Sequence, residues 1–301
     1  MANLSNYTWS FSPIVTAIPQ MILPNIALWN ATNNANLTYQ IQLSWPLAWG
    51  SRDINATALS MYVLDGNALG MTATEAWRRR LPVDPTTPDS VIVSIGYPIT
   101  DSPYSPQRSI DFQPVTPGED PPPVPGVREG SDDFIAFIDG TLRPFVHSQF
   151  PNSSFTRDAL YGHSFGGMFV IYALLRRPDL FDTFLASSPS LFWNGRYLLN
   201  HTRWLDEAQL PVNATKPAFK FAYGDLEQYP IKRRTETEEA YQARKALYAT
   251  FNMTDNCKAL YQSIKGSSKL RDVVLKQYDG SDHASVGAVA LADGIDYFVD
   301  W

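Results

Sequence analysis

Ser164 stands in the run Gly162-His163-Ser164-Phe165-Gly166, with a strand-like stretch before it (Asp158 to Tyr161) and an apolar, helix-like stretch after it (Met168 to Leu175). Five residues of this pattern carry little information alone; the strand before and the helix after give them meaning. A sharp strand-to-helix turn lifts the serine Oγ clear of the backbone, and small neighbours relieve crowding in the turn. The helix aims its first N–H groups at the place where an oxyanion would form. The chemistry that this arrangement serves is acyl transfer through a serine nucleophile.

A serine hydroxyl attacks poorly until a base takes its proton, and the chain holds four histidines. His163 is inside the turn, where its ring should point away from Oγ and pack. His147 sits on a helix far from any strand end, and His201 in a polar segment. His283 follows the last strand in Asp279-Gly280-Ser281-Asp282-His283, just before a closing helix, and is the expected base. An orienting acid is expected in the chain order serine, acid, histidine. The run Phe219 to Tyr223 ends in Gly224-Asp225-Leu226-Glu227, so Asp225 and Glu227 are both candidates to fix the imidazole tautomer. Two backbone N–H groups should hold the oxyanion. One is that of Phe165; the other is that of Asn67, in Asp65-Gly66-Asn67, where the glycine permits close backbone approach.

These residues need a sheet to hold them. Leu37 to Ser44 alternates apolar and polar positions as a half-buried strand does. Ser60 to Leu64 and Val91 to Ile95 are short apolar runs suited to buried strands, with a helix expected over Thr72 to Arg80. Ser131 reads as an N-cap, and Phe134, Ile138, Leu142 and Phe145 follow on one helical face. Further strands are expected at Phe184 to Ala186, Phe219 to Tyr223 and Val273 to Tyr278. A capping box at Thr235 and Glu238 should open a helix to Phe251, and Val286 to Val299 should close the chain as a helix. Strands alternating with helices predict an α/β protein with a doubly wound, mostly parallel sheet and antiparallel N-terminal strands. From Tyr97 to Val127 the sequence is rich in proline and glycine. A structureless loop there would be either a lid that shapes the substrate site or a mobile surface excursion.

The bulk properties narrow the class. With 301 residues, 44% hydrophobic and 13% aromatic, the chain can bury a large core, and without any linker-like run it is expected to form a single domain over 1–301. A net charge of −6 disfavours nucleic acid as a partner. The basic cluster Arg78-Arg79-Arg80 suits a helix C-terminus. A single cysteine, Cys257, excludes an intramolecular disulfide, a cysteine-rich zinc site and an iron–sulfur cluster; it should be a packing residue. No apolar run is long enough to span a membrane. No Lys or Arg precedes Arg52, so the charged region of a secretion signal is missing and the expectation is a cytoplasmic protein. Nine N-x-S/T sequons, at Asn3, Asn6, Asn30, Asn36, Asn55, Asn152, Asn200, Asn213 and Asn252, leave a secreted glycoprotein with its signal peptide removed as the alternative.

Five segments together resemble a known family: Tyr62 to Asn67 (YVLDGN), Gly162 to Gly167 (GHSFGG), Ala186 to Trp193 (ASSPSLFW), Tyr223 to Gln228 (YGDLEQ) and Asp279 to Val286 (DGSDHASV). They are similar to the trilactone siderophore esterases of the α/β-hydrolase fold, whose branches include IroE-type enterobactin esterases and fungal EstB-type triacetylfusarinine esterases. The resemblance implies a catalytic pair at Ser164 and His283. In the fungal branch it implies a glutamate at Glu227, which favours Glu227 over Asp225. It also implies that Arg108 sits at the substrate cleft and that Trp193 lines the pocket; alone, Arg108 would read as a loop ion pair with Asp111. The expected activity is hydrolysis of the esters of a ferric trilactone, with iron arriving in the substrate and no cofactor or metal of the protein's own. Ferric catecholate trilactones are strongly anionic, whereas ferric trihydroxamates are nearly neutral. An acidic protein exerts no long-range pull on a polyanion, which favours a fusarinine-type substrate. The alternatives are a general carboxylesterase or deacetylase of small acyl esters, and a catalytically dead siderophore-binding module.

Overall fold

The computed structural model describes residues 7–15, 23–116, 129–211 and 214–301. The chain divides into two units, one formed by residues up to Leu160 with Phe298–Trp301 and the other by Tyr161–Tyr297.

The first unit holds β1 (Trp9–Val15), β2 (Ile26–Asn33), β3 (Thr38–Ser44), β4 (Ala56–Leu64), α1 (Gly66–Arg80) and β5 (Ser90–Gly96). It continues with α2 (Arg108–Asp111), α3 (Ser131–Phe137), α4 (Arg143–Gln149) and most of β6 (Ser153–His163). Its strands lie in the order β1-β2-β3-β5-β4. Pairing is antiparallel from β1 through β3 to β5 and parallel between β4 and β5. The alternation read in β3 is real, with Tyr39, Ile41 and Leu43 buried. The continuous apolar runs of β4 and β5 are buried throughout their predicted lengths.

Three local features differ from the sequence expectation. Helix α1 begins at Gly66 rather than Thr72, because Asp65 adopts a left-handed conformation (φ 52°) that turns the strand straight into the helix. Between α3 and α4 the residues Ile138–Leu142 form a π turn, which inserts an extra residue per turn. Ile138 and Leu142 face the core as expected, but beyond the π turn the buried position is Val146 rather than Phe145. Phe145 stacks instead on Phe11 of β1, ring centres 3.8 Å apart. Ser131 is the first helical residue rather than the cap, which is Gly130.

The proline-rich stretch is not structureless where it is described. Within it Arg108–Asp111 form α2, and Arg108, Asp111 and Phe112 are buried; residues 117–127 lie outside the described residues. Asn3, Asn6 and Asn213 of the sequons also lie outside them, and Asn36, Asn55, Asn152, Asn200 and Asn252 are exposed.

The second unit takes up the end of β6 and continues with α5 (Phe165–Arg176), β7 (Thr183–Ser187), α6 (Trp193–Asn200), α7 (Trp204–Glu207) and β8 (Ala218–Gly224). After these come α8 (Glu238–Phe251), α9 (Met253–Ile264), β9 (Asp272–Tyr278) and α10 (His283–Val299). Strands β7, β8 and β9 pair in parallel. Every residue of α5 from Gly166 to Leu175 is buried, as a helix apolar on all sides must be. Helix α8 is capped by Thr237, whose hydroxyl accepts from the Ala240 N–H at 3.2 Å, and not by Thr235. Helix α9 was not expected. It buries Met253, Cys257, Leu260 and Ile264 along one face, so Cys257 packs in the core as anticipated, and burial raises its thiol pKa. No helix among the described residues is long and apolar enough to cross a membrane.

Candidate active site

Ser164 follows β6 directly and caps α5 with φ 60° and ψ −119°, a conformation that is strained for any residue with a Cβ. Two backbone hydrogen bonds hold it there: the Ser164 N–H donates to Ser187 O at 3.0 Å, and the Ser190 N–H donates to Ser164 O at 3.1 Å. The small neighbours are required by contact. A Cβ on Gly162 would lie 2.3 Å from the carbonyl oxygen of Gly166, and one on Gly167 would lie 2.9 Å from that of Ser187.

The structure brings His283 and Glu227 to this serine. His283, first residue of α10, has Nε2 at 3.0 Å from Ser164 Oγ and Nδ1 at 2.6 Å from Glu227 Oε2. The other carboxylate oxygen of Glu227 accepts from the Ser188 hydroxyl and from the Gly224 N–H, each at 2.6 Å. Glu227 is nearly inaccessible, its side chain 3% exposed. An ionised carboxylate can only accept, so Nδ1 carries the imidazole proton and Nε2 is left to accept from Ser164. Asp225, the other candidate, is used differently: its Oδ1 accepts from the Gly280 N–H at 2.8 Å. Together with the Leu226 N–H donating to Ser281 O, this ties the loop before His283 to the end of β8. Asp282 caps the start of α10 by accepting from the Ser285 N–H, and that bond lowers its carboxyl pKa.

His163 is buried as expected, but its ring lies 4.6 Å from that of His283. Gly287 makes room beneath it, since a Cβ there would come within 3.2 Å of the His163 ring. Nothing in the sequence announced that contact. Beside the serine opens a cleft of about 220 Å³, with Phe192, Tyr248, Phe251 and Met253 on its wall. Sequence reasoning missed these four and Ser188; only Ser188 and Phe192 fall within a quoted motif.

The comparisons with known proteins follow the same lines. The chain matches the putative esterase family over residues 32–255. It is 40% identical to a siderophore enterobactin esterase of Emericella nidulans, over 95% of this chain and 96% of that protein. It is 36% identical to a siderophore triacetylfusarinine C esterase of Aspergillus fumigatus, over 93% and 95% of the two chains. The chain belongs to the trilactone siderophore esterase family. Among solved structures, the siderophore hydrolase EstA from Aspergillus nidulans superposes with a TM-score of 0.87 at 39% identity, covering 97% of this chain and 99% of that one. The esterase has the α/β-hydrolase fold and is a carboxylic ester hydrolase.

The resemblance also implied roles for Arg108 and Trp193. In the esterase Arg108 is buried, and its Nε and guanidinium NH2 donate to both oxygens of Asp65 at 2.7 Å, so its ion-pair partner is Asp65 and not Asp111. Burial raises the Asp65 carboxyl pKa despite that opposing pair. Asp111 accepts instead from the Tyr97 hydroxyl at 2.9 Å and from Gln107 at 3.1 Å, and burial pushes its carboxyl up to about 6. Trp193 is turned inward, edge-on to Tyr197, while Phe192 lines the cleft. Just after Trp193, Asn194, Gly195 and Arg196 all have positive φ. Asn67 lies in the first turn of α1, and its side-chain amide exchanges two hydrogen bonds with the backbone of Tyr97. Gly66 lies flush against β5, where a Cβ would stand 3.0 Å from the backbone of Ile95.

Proposed function

We propose that the esterase cleaves the ester bonds of a ferric trihydroxamate trilactone of the fusarinine type through an acyl-enzyme on Ser164. The observation that carries this reading is the unbroken chain of contacts from Ser164 Oγ through both ring nitrogens of His283 to Glu227. His283 Nε2 takes the serine proton as Oγ attacks the ester carbonyl, and the imidazolium that forms is stabilised by Glu227. The N–H of Phe165, at the first position of α5, is an oxyanion donor. His283 then protonates the leaving alcohol and activates the water that releases the acyl group. The acidic charge of the chain and the low polarity of the cleft wall favour a nearly neutral iron complex over a polyanionic one.

The test compares a ferric trihydroxamate trilactone, a ferric tricatecholate trilactone and p-nitrophenyl acetate, with products followed by mass spectrometry. The expected result is a higher kcat/KM for the trihydroxamate than for either competitor, and no turnover by Ser164→Ala with its fold intact. A preference for the catecholate would overturn the substrate class. Comparable kcat/KM for the small ester would make the chain a general carboxylesterase.

A further inference from the structure

We infer that the aromatic wall beside Ser164 is a subsite for the acyl half of the ester, receiving an uncharged hydrocarbon stretch that begins next to the carbonyl and is longer than acetyl. The proposal rests on Ser164 being the nucleophile and names what the acyl-enzyme carries.

The polar atoms of the cleft are gathered at one end. Ser164, Ser190, Glu227 and His283 crowd together there, and the Ser164 and Ser190 hydroxyls are 3.5 Å apart. Glu227 is already occupied by three donors. The rest of the lining includes Phe192, Tyr248, Phe251 and Met253. The rings of Phe192 and Phe251 stack at 4.8 Å with planes 29° apart, and Tyr248 stands beside Phe251 at 6.4 Å.

This wall is assembled from three separate pieces of chain, which points to a built surface. Phe192 comes from the turn after β7. Phe251 ends α8 and Met253 opens α9, on either side of Asn252, whose left-handed conformation (φ 47°) reverses the chain between the two helices. No residue of α8 is buried, so Phe251 and Tyr248 are not held in place as core. Among the described residues, no lysine, arginine or aspartate lines the cleft. A charged acyl group entering it would lose water without gaining a partner. A hydrocarbon chain attached to the carbonyl at Ser164 would instead exchange water for ring faces.

The test uses p-nitrophenyl acetate, butyrate, hexanoate and monosuccinate, in which only the acyl part varies. Burial of a methylene contributes about 0.8 kcal/mol, or about fourfold in kcat/KM. Butyrate should therefore exceed acetate by about fifteenfold, and monosuccinate, of the same chain length as butyrate, should fall at least tenfold below it. In Phe251→Ala, and separately in Phe192→Ala, the butyrate-to-acetate ratio should fall at least fivefold. Melting curves check that both variants are folded, and Phe251→Leu, which keeps an apolar side chain, should recover part of the ratio. A wild-type profile flat from acetate to hexanoate, or succinate turned over as well as butyrate, would overturn the subsite. That failure is separable from failure of the nucleophile assignment, which would appear as acetate turnover surviving in Ser164→Ala.

Discussion

Replacing Glu227 by Gln tests whether the carboxylate sets the histidine tautomer, and the outcome follows from which oxygen does what. The Gly224 N–H can only donate, and it donates to Oε1 at 2.6 Å beside the Ser188 hydroxyl. In Glu227→Gln the amide oxygen must therefore keep the Oε1 position, and the amide NH2 is forced to face His283 Nδ1. Two donors cannot share that 2.6 Å contact, so the imidazole proton moves to Nε2. Nε2 then cannot accept from Ser164 Oγ. Loss of the correct tautomer in a serine triad costs about 10³–10⁴-fold in kcat, equivalent to about 4–5 kcal/mol on the barrier. Glu227→Ala removes the acceptor without installing a donor, so it should retain more activity than the closer mimic Gln. The assay is steady-state hydrolysis of p-nitrophenyl butyrate with melting temperatures measured in parallel. A Gln variant within tenfold of wild type, or one more active than Ala with both folded, would refute the tautomer argument.

Gly224→Ala would place a Cβ 2.1 Å from the carbonyl oxygen of Ser281, pushing away the loop that leads into His283. A misplacement near 1 Å costs about 10²-fold, so kcat should fall by that order; a loss under threefold would show that the loop yields without moving the base. Arg108→Gln leaves the buried Asp65 carboxylate unpaired and should cost about 3–5 kcal/mol in urea unfolding, with Asp65→Asn in the same chain recovering part; a loss below about 1 kcal/mol would refute it. Asp111 has a folded pKa near 6 against about 4 unfolded, so the folded state holds its proton more tightly. Stability should be highest below pH 4 on this account and decline as pH rises through 6, by at most about 3 kcal/mol. Asp111→Asn should lack that decline, and parallel slopes for the two proteins between pH 4.5 and 7 would refute the assignment.

Ser164 and His283 were legible because their signals are local: a turn between glycines, and a histidine just past a strand. Two carboxylates in three residues could not be separated in the same way. A single 3₁₀ turn, Asp225–Glu227, sends one to the imidazole and the other to a backbone N–H, and both uses depend on a loop more than fifty residues later. The ion-pair partner of Arg108 was misread for a related reason, since Asp65 is 43 residues away while Asp111 is close in sequence. The strands with alternating or continuous apolar runs, β3, β5, β8 and β9, were found nearly to the residue, whereas β4 starts four residues before the predicted run. Phe145 was assigned to the core by a regular helical spacing that the π turn at Ile138–Leu142 breaks. The cleft wall was missed because its aromatics come from distant pieces of chain, Phe192 after β7 and Tyr248 and Phe251 at the end of α8.

The backbone at Ser164 has a consequence for anyone improving this enzyme. Holding a residue with a Cβ at φ 60°, ψ −119° costs on the order of 1–3 kcal/mol, whereas glycine visits positive φ freely and gives back about 1 kcal/mol in chain entropy. A Ser164→Gly chain is thus expected to melt at or above the wild-type temperature while catalysing nothing. Directed evolution scored on heat resistance alone would be drawn to that codon, so every round needs a turnover screen beside the thermal one.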